Sequence, residues 1–149
     1  MTAPVLAFEE ILSSLPYGRD FLFVNRVCGL EPERWITTSM DYERSSAILE
    51  SHFRGGPAIV PGVVLAEQVC QSALLLGLLS KKVKPGQPLL LGRLQCRFIK
   101  PALADCTIHS RVDLVVAKGD SIGFIGDARL NGDSIAQFQG SAKSSQGEG

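Results

Sequence analysis

The sequence predicts an α+β domain in which a curved antiparallel sheet wraps around one long central helix. Three observations predict it. Residues 62–80 form a run that is apolar on nearly every side. Several long strand-like segments follow this run. The turn signals Gly119-Asp120 and Asn131-Gly132-Asp133 divide those segments into hairpins. A helix apolar all round must be buried all round, and a sheet curling about it does that.

The elements follow in order. "LAFEEILSS" (6–14) has the pattern of a short helix, stopped by Pro16. "FLFVNRV" (21–27) and "RWITTSMDY" (34–42) read as strands, with the turn residues of "CGLEPE" between them. Residues 51–61 are rich in Gly and Pro and read as a loop. Pro61 suits the first position of the long helix, where a missing N–H costs nothing. Lys81, Lys82 and Lys84 stand at the helix end that favours cations, and "KPGQP" (84–88) closes it. "LLLGRLQCRFI" (89–99) is a strand. So are "CTIHSRVDLVVAK" (106–118), "SIGFIGDARL" (121–130) and "SIAQFQGSAK" (134–143). Within 106–118, Ile108, Val112 and Leu114 are expected inward, against outward Ser110, Arg111 and Asp113. Residues 1–143 are expected to form one domain, and the polar tail 144–149 to be disordered.

Composition narrows the function. The chain has 149 residues, 45% of them hydrophobic, enough for one core. Fifteen basic residues balance fifteen acidic ones, which is no footprint for nucleic acid. No charged segment with an apolar stretch opens the chain, so a cytoplasmic protein is expected. The apolar run 57–79 is no membrane span in this reading: Pro61 and Gly62 interrupt it, and an ionised Glu67 would cost about 2.5 kcal/mol or more in lipid. Cys28, Cys70, Cys96 and Cys106 have no metal-binding spacing and are expected to be buried, reduced thiols. No metal and no cofactor is expected.

One stretch stands out: "SHFRGGPAIVPGVVLAE" (51–67). It places His52 before a Gly/Pro-rich loop and Glu67 inside the apolar helix. If the two side chains meet, they can do acid/base work on one substrate. Gln71 lies four residues beyond Glu67, on the same helix face. It either orients the carboxyl or packs in the core. His109 reads as structural or exposed.

Three segments together carry a resemblance: "LPYGRDFLFVNRV" (15–27), "SHFRGGPAIVPGVVLAEQVCQ" (51–71) and "RFIKPALAD" (97–105). Their order resembles the FabZ-type 3-hydroxyacyl-[acyl-carrier-protein] dehydratases of the hot-dog fold, over roughly residues 11–140. His52-Phe53, Pro57, Pro61-Gly62-Val63, Glu67 and Gln71 match the family's pattern in order, with one extra residue between the two prolines. Tyr17 stands where the family often has histidine. Ser51 replaces a glycine, Arg54 a proline, Asn25 an aspartate and Ala104 a glycine. None of these changes removes His52 or Glu67.

The resemblance implies dehydration of 3-hydroxyacyl thioesters on acyl carrier protein to trans-2-enoyl thioesters, in fatty-acid or polyketide-like biosynthesis. His52 would take the C2 proton, as a neutral imidazole can near neutral pH. Glu67 would protonate the leaving hydroxyl, since a carboxyl enclosed by apolar residues such as Val63, Val64, Leu65 and Leu74 can keep its proton near neutrality. The backbone N–H groups of Gly62 and Val63, at the helix N-terminus, are the expected donors to the thioester oxygen. The resemblance further implies a homodimer, or a trimer of dimers, with His52 and Glu67 of one site contributed by different subunits. Apolar residues of the helix and of strand 89–99 would line the acyl tunnel. Arg93, Arg97 and Lys100, with Arg54, form either a basic rim for the carrier protein and its phosphopantetheine arm or ordinary solvated charges. Two other readings stay open: a hot-dog thioesterase, and a non-catalytic acyl-binding partner of a synthase.

Overall fold

Helix α3 (Gly62–Leu79) packs its length against one face of a six-stranded antiparallel sheet. The structure is a computed structural model that describes residues 4–144. The strands are β1 (Arg26–Glu31), β2 (Trp35–Tyr42), β3 (Leu89–Phe98), β4 (Cys106–Lys118), β5 (Ser121–Leu130) and β6 (Asp133–Ser144). They run in the order β1-β2-β4-β5-β6-β3. Two short helices, α1 (Phe8–Ser14) and α2 (Ala47–His52), complete the chain. The expected tail lies outside the described residues, except for Ser144, which pairs with Leu89 at the end of β6.

The alternation of apolar residues builds the helix-covered face of the sheet. Ile36, Ile108, Val112, Ile122, Phe124, Ala128, Ala136 and Phe138 are all buried there. Leu74, Leu75 and Leu76 of α3 are buried as well. Each such Val, Leu, Ile or Phe side chain contributes about 1.5–3 kcal/mol of transfer free energy. The helix approaches the sheet so closely at Gly126 that a Cβ there would collide with Val69. The β5–β6 hairpin turns at Asn131 and Gly132, both with positive φ (52° and 85°), as an Asn-Gly type I′ turn requires.

A polar seam sets the rotation of α3. The Tyr42 hydroxyl donates to Gln68 Oε1 (2.6 Å), and Gln68 Nε2 donates to the Ile108 carbonyl (3.1 Å). Ser72 Oγ donates to the Gln68 carbonyl (2.7 Å), so the Thr38 hydroxyl, 2.8 Å away, must donate to Ser72. All these groups are buried. With Gln68 and Ser72 facing the sheet, Glu67 and Gln71 face away from it.

The structure corrects several expectations. Residues 21–27 are not one strand: a 3₁₀ turn occupies Arg19–Phe21 and β1 begins only at Arg26. The polar groups of Phe21 and Phe23 bond the Gln71 side chain in place of a neighbouring strand. Residues 51–61 are not all loop, since His52 ends α2. Pro61 caps α3 from outside and does not open it. Ser110 faces inward with Ile108 and Val112, and its buried hydroxyl has no partner among the described residues. The cysteines carry no disulfide, but they are not all buried: Cys28 and Cys96 are exposed, and Cys70 and Cys106 are half-buried.

Candidate active site

His52 closes α2 and is half-buried. Its Nδ1 lies 2.9 Å from the Ile59 carbonyl. A carbonyl can only accept, so Nδ1 carries the proton of the neutral ring and Nε2 carries the lone pair. The ring stacks on Phe53, with centroids 4.1 Å apart. The loop that presents Ile59 is itself held. Val60 N–H donates to the Ala102 carbonyl (2.9 Å), and Ala104 N–H donates to the Ala58 carbonyl (2.8 Å). The imidazole is thus anchored to a strapped loop, with Nε2 free to act as a base.

That loop delivers the chain to the N-terminus of α3. The Pro61 carbonyl accepts from Val64 and Leu65, which leaves the N–H groups of Gly62 and Val63 without a backbone partner, as in the first turn of any helix. At Gly62 the helix comes close to β3: a Cβ there would lie within 2.9 Å of the Phe98 ring. Phe98 is half exposed and packs edge-on against Phe138. Val63, 77% exposed, does not enclose Glu67, and Leu65 is buried on the sheet side, so neither supplies the expected apolar wall.

Glu67 is half-buried on the face of α3 that looks away from the sheet. Gln71 Nε2 donates to Glu67 Oε1 (3.1 Å) and to the Phe21 carbonyl (2.8 Å), while Gln71 Oε1 accepts from Phe23 N–H (2.8 Å). Gln71 therefore clamps the segment before β1 to α3 and holds one carboxyl oxygen. Both readings of Gln71 apply, because it is fully buried and also bonds the carboxyl. Tyr17 reaches the same cluster from the clamped segment, its ring edge-on to Phe21 at 5.8 Å. Burial raises the Tyr17 phenol above its ordinary range, reinforced by Glu67 and then Cys70. Burial also pushes the Cys70 thiol up to about 12, with Glu67 and Cys96 adding to it. Tyr17 is the member of the site that the residue pattern did not assign; its only signal was its departure from the histidine of the resembling family.

Within one chain, no hydrogen bond among the described residues joins His52 to Glu67. The four basic residues do not form a single rim. Arg93 and Arg97 occupy outward register positions on β3, opposite Ser141 and Gln137 of β6. Lys100 is paired with Asp133 (3.1 Å), and Arg54 sits on the exposed loop after α2. His109 is exposed on β4, opposite Ser39 and Arg129.

Along α3 beyond Gln71, Leu75, Leu78 and Leu79 line an apolar groove of about 350 Å³ with Leu15, Pro16 and Pro85. Gln71, Leu75 and Leu78 recur at three- and four-residue spacing, so this groove continues the Glu67 face. Residues of β3 do not line it. A larger cavity of about 690 Å³ lies beyond the C-terminal end of α3, among Lys82, Lys84, Gln87 and Asp120, with neither His52 nor Glu67 in its wall. Among the described residues no group of three or more His, Cys, Asp and Glu side chains is placed to hold a metal ion.

One long helix packed on a six-stranded antiparallel sheet defines the hot-dog fold. The fold is shared with a chain of the dehydratase heterocomplex ApeI:P from Xenorhabdus doucetiae: TM-score 0.76, 12% identity, covering 99% of this chain and 94% of that one. It is shared also with zebra fish thioesterase superfamily member 2: TM-score 0.68, 19% identity, covering 92% and 91%. In sequence, the chain is 30% identical over 130 residues to the 3-hydroxyacyl-[acyl-carrier-protein] dehydratase FabZ of Myxococcus xanthus, covering 86% of this chain and 84% of that protein. The FabZ of Mannheimia succiniciproducens is 27% identical over 132 residues, covering 88% and 87%. No family model matches the chain. On the extent of these matches, the chain belongs to the FabZ family of 3-hydroxyacyl-[acyl-carrier-protein] dehydratases.

Proposed function

We propose that this chain dehydrates 3-hydroxyacyl thioesters carried on acyl carrier protein to trans-2-enoyl thioesters. The observation that carries the reading is the anchored imidazole: Nδ1 is committed to the Ile59 carbonyl, so Nε2 is available as a base beside the open N-terminus of α3. His52 Nε2 removes the C2 proton. Negative charge grows on the thioester oxygen, where the N–H groups of Gly62 and Val63 receive it. The C3–O bond breaks, and the Glu67 carboxyl in its acid form gives its proton to the departing hydroxyl, which leaves as water. The imidazolium proton then returns to the carboxylate, directly or through solvent.

The active unit is a dimer, in which His52 of one subunit faces Glu67 of the other. Two features of the isolated chain favour this. Strand β3 pairs only with β6, so its other edge is open along ten residues. Leu90, Leu91 and Phe98 on that strand, with Val63 and Phe53 near the site, are large apolar side chains left exposed. Natural sheets seldom leave such an edge uncovered. The reaction takes place in the cytoplasm, on carrier-bound chains. The basic residues Arg54, Arg93 and Arg97 attract the acidic carrier by exposed charge, an interaction that weakens as salt rises.

The test is incubation with 3-hydroxyacyl-acyl carrier protein and mass analysis of the products. Loss of water with the acyl group retained supports dehydration, whereas free acid supports a thioesterase. His52→Ala and Glu67→Gln are each expected to abolish water loss and leave the dimer intact. Full activity of His52→Ala would refute its role as base.

A further inference from the structure

Tyr17 carries a hydroxyl with no hydrogen-bond partner among the described residues, and its side chain is half-buried. A phenol O–H left without a partner is open to a substrate oxygen that comes within reach. The surroundings are those of the reaction site. Tyr17 lies edge-on to Phe21, and the Phe21 carbonyl holds Gln71, which holds Glu67 Oε1. The ionisable groups that act on the phenol electrostatically are Glu67 and Cys70 of α3, and Cys96 of β3 acts on Cys70 in turn. Burial and these neighbours disfavour the phenolate, so the hydroxyl stays a donor at neutral pH. Gln71 occupies one oxygen of Glu67, and the other is the one available to a substrate.

We propose that Tyr17 is a further catalytic residue, its phenol O–H donating a hydrogen bond to the C3 oxygen of the substrate while Glu67 protonates that same oxygen. This rests on the dehydration reading above. Tyr17 keeps its proton throughout: the C3–O bond breaks, Glu67 supplies the proton that makes the hydroxyl into water, and the phenol stabilises the charge that develops on the departing oxygen. The hydroxyl also makes the site selective. A chain that lacks the 3-hydroxyl leaves the phenol without an acceptor, so the site favours 3-hydroxyacyl over saturated acyl groups.

Two measurements on the full-length dimer test this. In steady-state kinetics, Tyr17→Phe is expected to lower kcat by about tenfold or more with little change in KM, because the bond strengthens as the C–O bond breaks. In the inert Glu67→Gln background, adding Tyr17→Phe is expected to weaken binding of 3-hydroxyacyl-pantetheine by about three- to tenfold, and to leave binding of the saturated acyl-pantetheine unchanged. A purely packing role would move both ligands alike, and Tyr17→Phe keeps the ring and so the contact with Phe21. The inference is overturned if the wild-type protein releases water but Tyr17→Phe keeps its kcat, or if the two ligands weaken together. If the ligand discrimination appears while the wild-type protein releases no water, Tyr17 stands as a hydroxyl reader and the dehydration reading falls.

Discussion

The backbone N–H of Phe23 donates to Gln71 Oε1 at 2.8 Å, joining two points 48 residues apart in the chain. The same amide reaches Phe21 and Glu67 with its nitrogen. One buried side chain thereby closes the segment before β1 onto α3 and orients the Glu67 carboxyl. An amide suits the position because it alone presents an acceptor to the N–H and two donors, one for each oxygen.

Gln71→Met keeps the bulk and removes all three bonds. It leaves the Phe23 N–H buried and unpaired, at a cost of about 1–3 kcal/mol. Urea unfolding is expected to show that loss. The freed carboxyl also loses its orientation, so kcat is expected to fall more than KM rises. A variant with normal stability and normal kcat would show that the clamp matters to neither.

The polar seam on the other face of α3 separates stability from chemistry. Tyr42→Phe removes the donor to Gln68 Oε1 and leaves that oxygen buried without a partner. The expected loss is about 1–3 kcal/mol in denaturant unfolding. Tyr42 contacts the sheet side of the helix, whereas Glu67 faces away, so the turnover of the folded fraction is expected to match the wild type. A loss of kcat without a loss of stability would show that the seam reaches the site.

Much of this arrangement was legible in the residues. The strands 106–118 and 121–130 begin and end where the alternation and the Gly119 and Asn131-Gly132 signals place them. The long helix ends within a residue of its expected limit. What escaped was decided by contacts distant in sequence. "FLFVNRV" is rich in strand formers, yet its backbone bonds a glutamine side chain from another element. Residues 47–52 form a helix without a strong periodic signal, so His52 read as a loop residue. Cys28 and Cys96 lie in apolar runs but are exposed for different reasons: Cys28 sits on the outward side of the pleat next to buried Val27, whereas Cys96 shares the inward face with Phe138 but lies on the edge strand β3. Tyr17 gave no signal beyond its departure from the family pattern, since a phenol in a loop has no periodicity to betray its role.

Thiol reactivity gives a direct check on the surroundings of Glu67. With its pKa pushed up to about 12 by burial, Cys70 stays almost wholly a thiol at pH 8. Cys28 is exposed. Peptide mass analysis after iodoacetamide treatment at pH 8 is expected to find Cys28 modified first and Cys70 last. Early modification of Cys70 in the wild-type protein would mean that its site is wetter than the packing indicates.

The proposed division of one site between two subunits makes a prediction that a single-chain site cannot imitate. In a two-fold dimer each interface element occurs twice, so there are two sites, each taking His52 from one protomer and Glu67 from the other. A dimer of one His52→Ala subunit and one Glu67→Gln subunit has one site carrying both lesions and one site carrying neither. Co-expression of the two inactive variants with random pairing makes about half of the dimers mixed, each with one of its two sites intact, so about a quarter of the wild-type activity should return. Separately purified homodimers of the two variants stay inactive. Tagging the two subunits differently and isolating the mixed dimer should raise the recovered activity to about half of the wild type, on the same counting. If each subunit held a complete site of its own, co-expression would recover nothing. The exposed apolar residues of β3 would then cover a contact with no part in the chemistry.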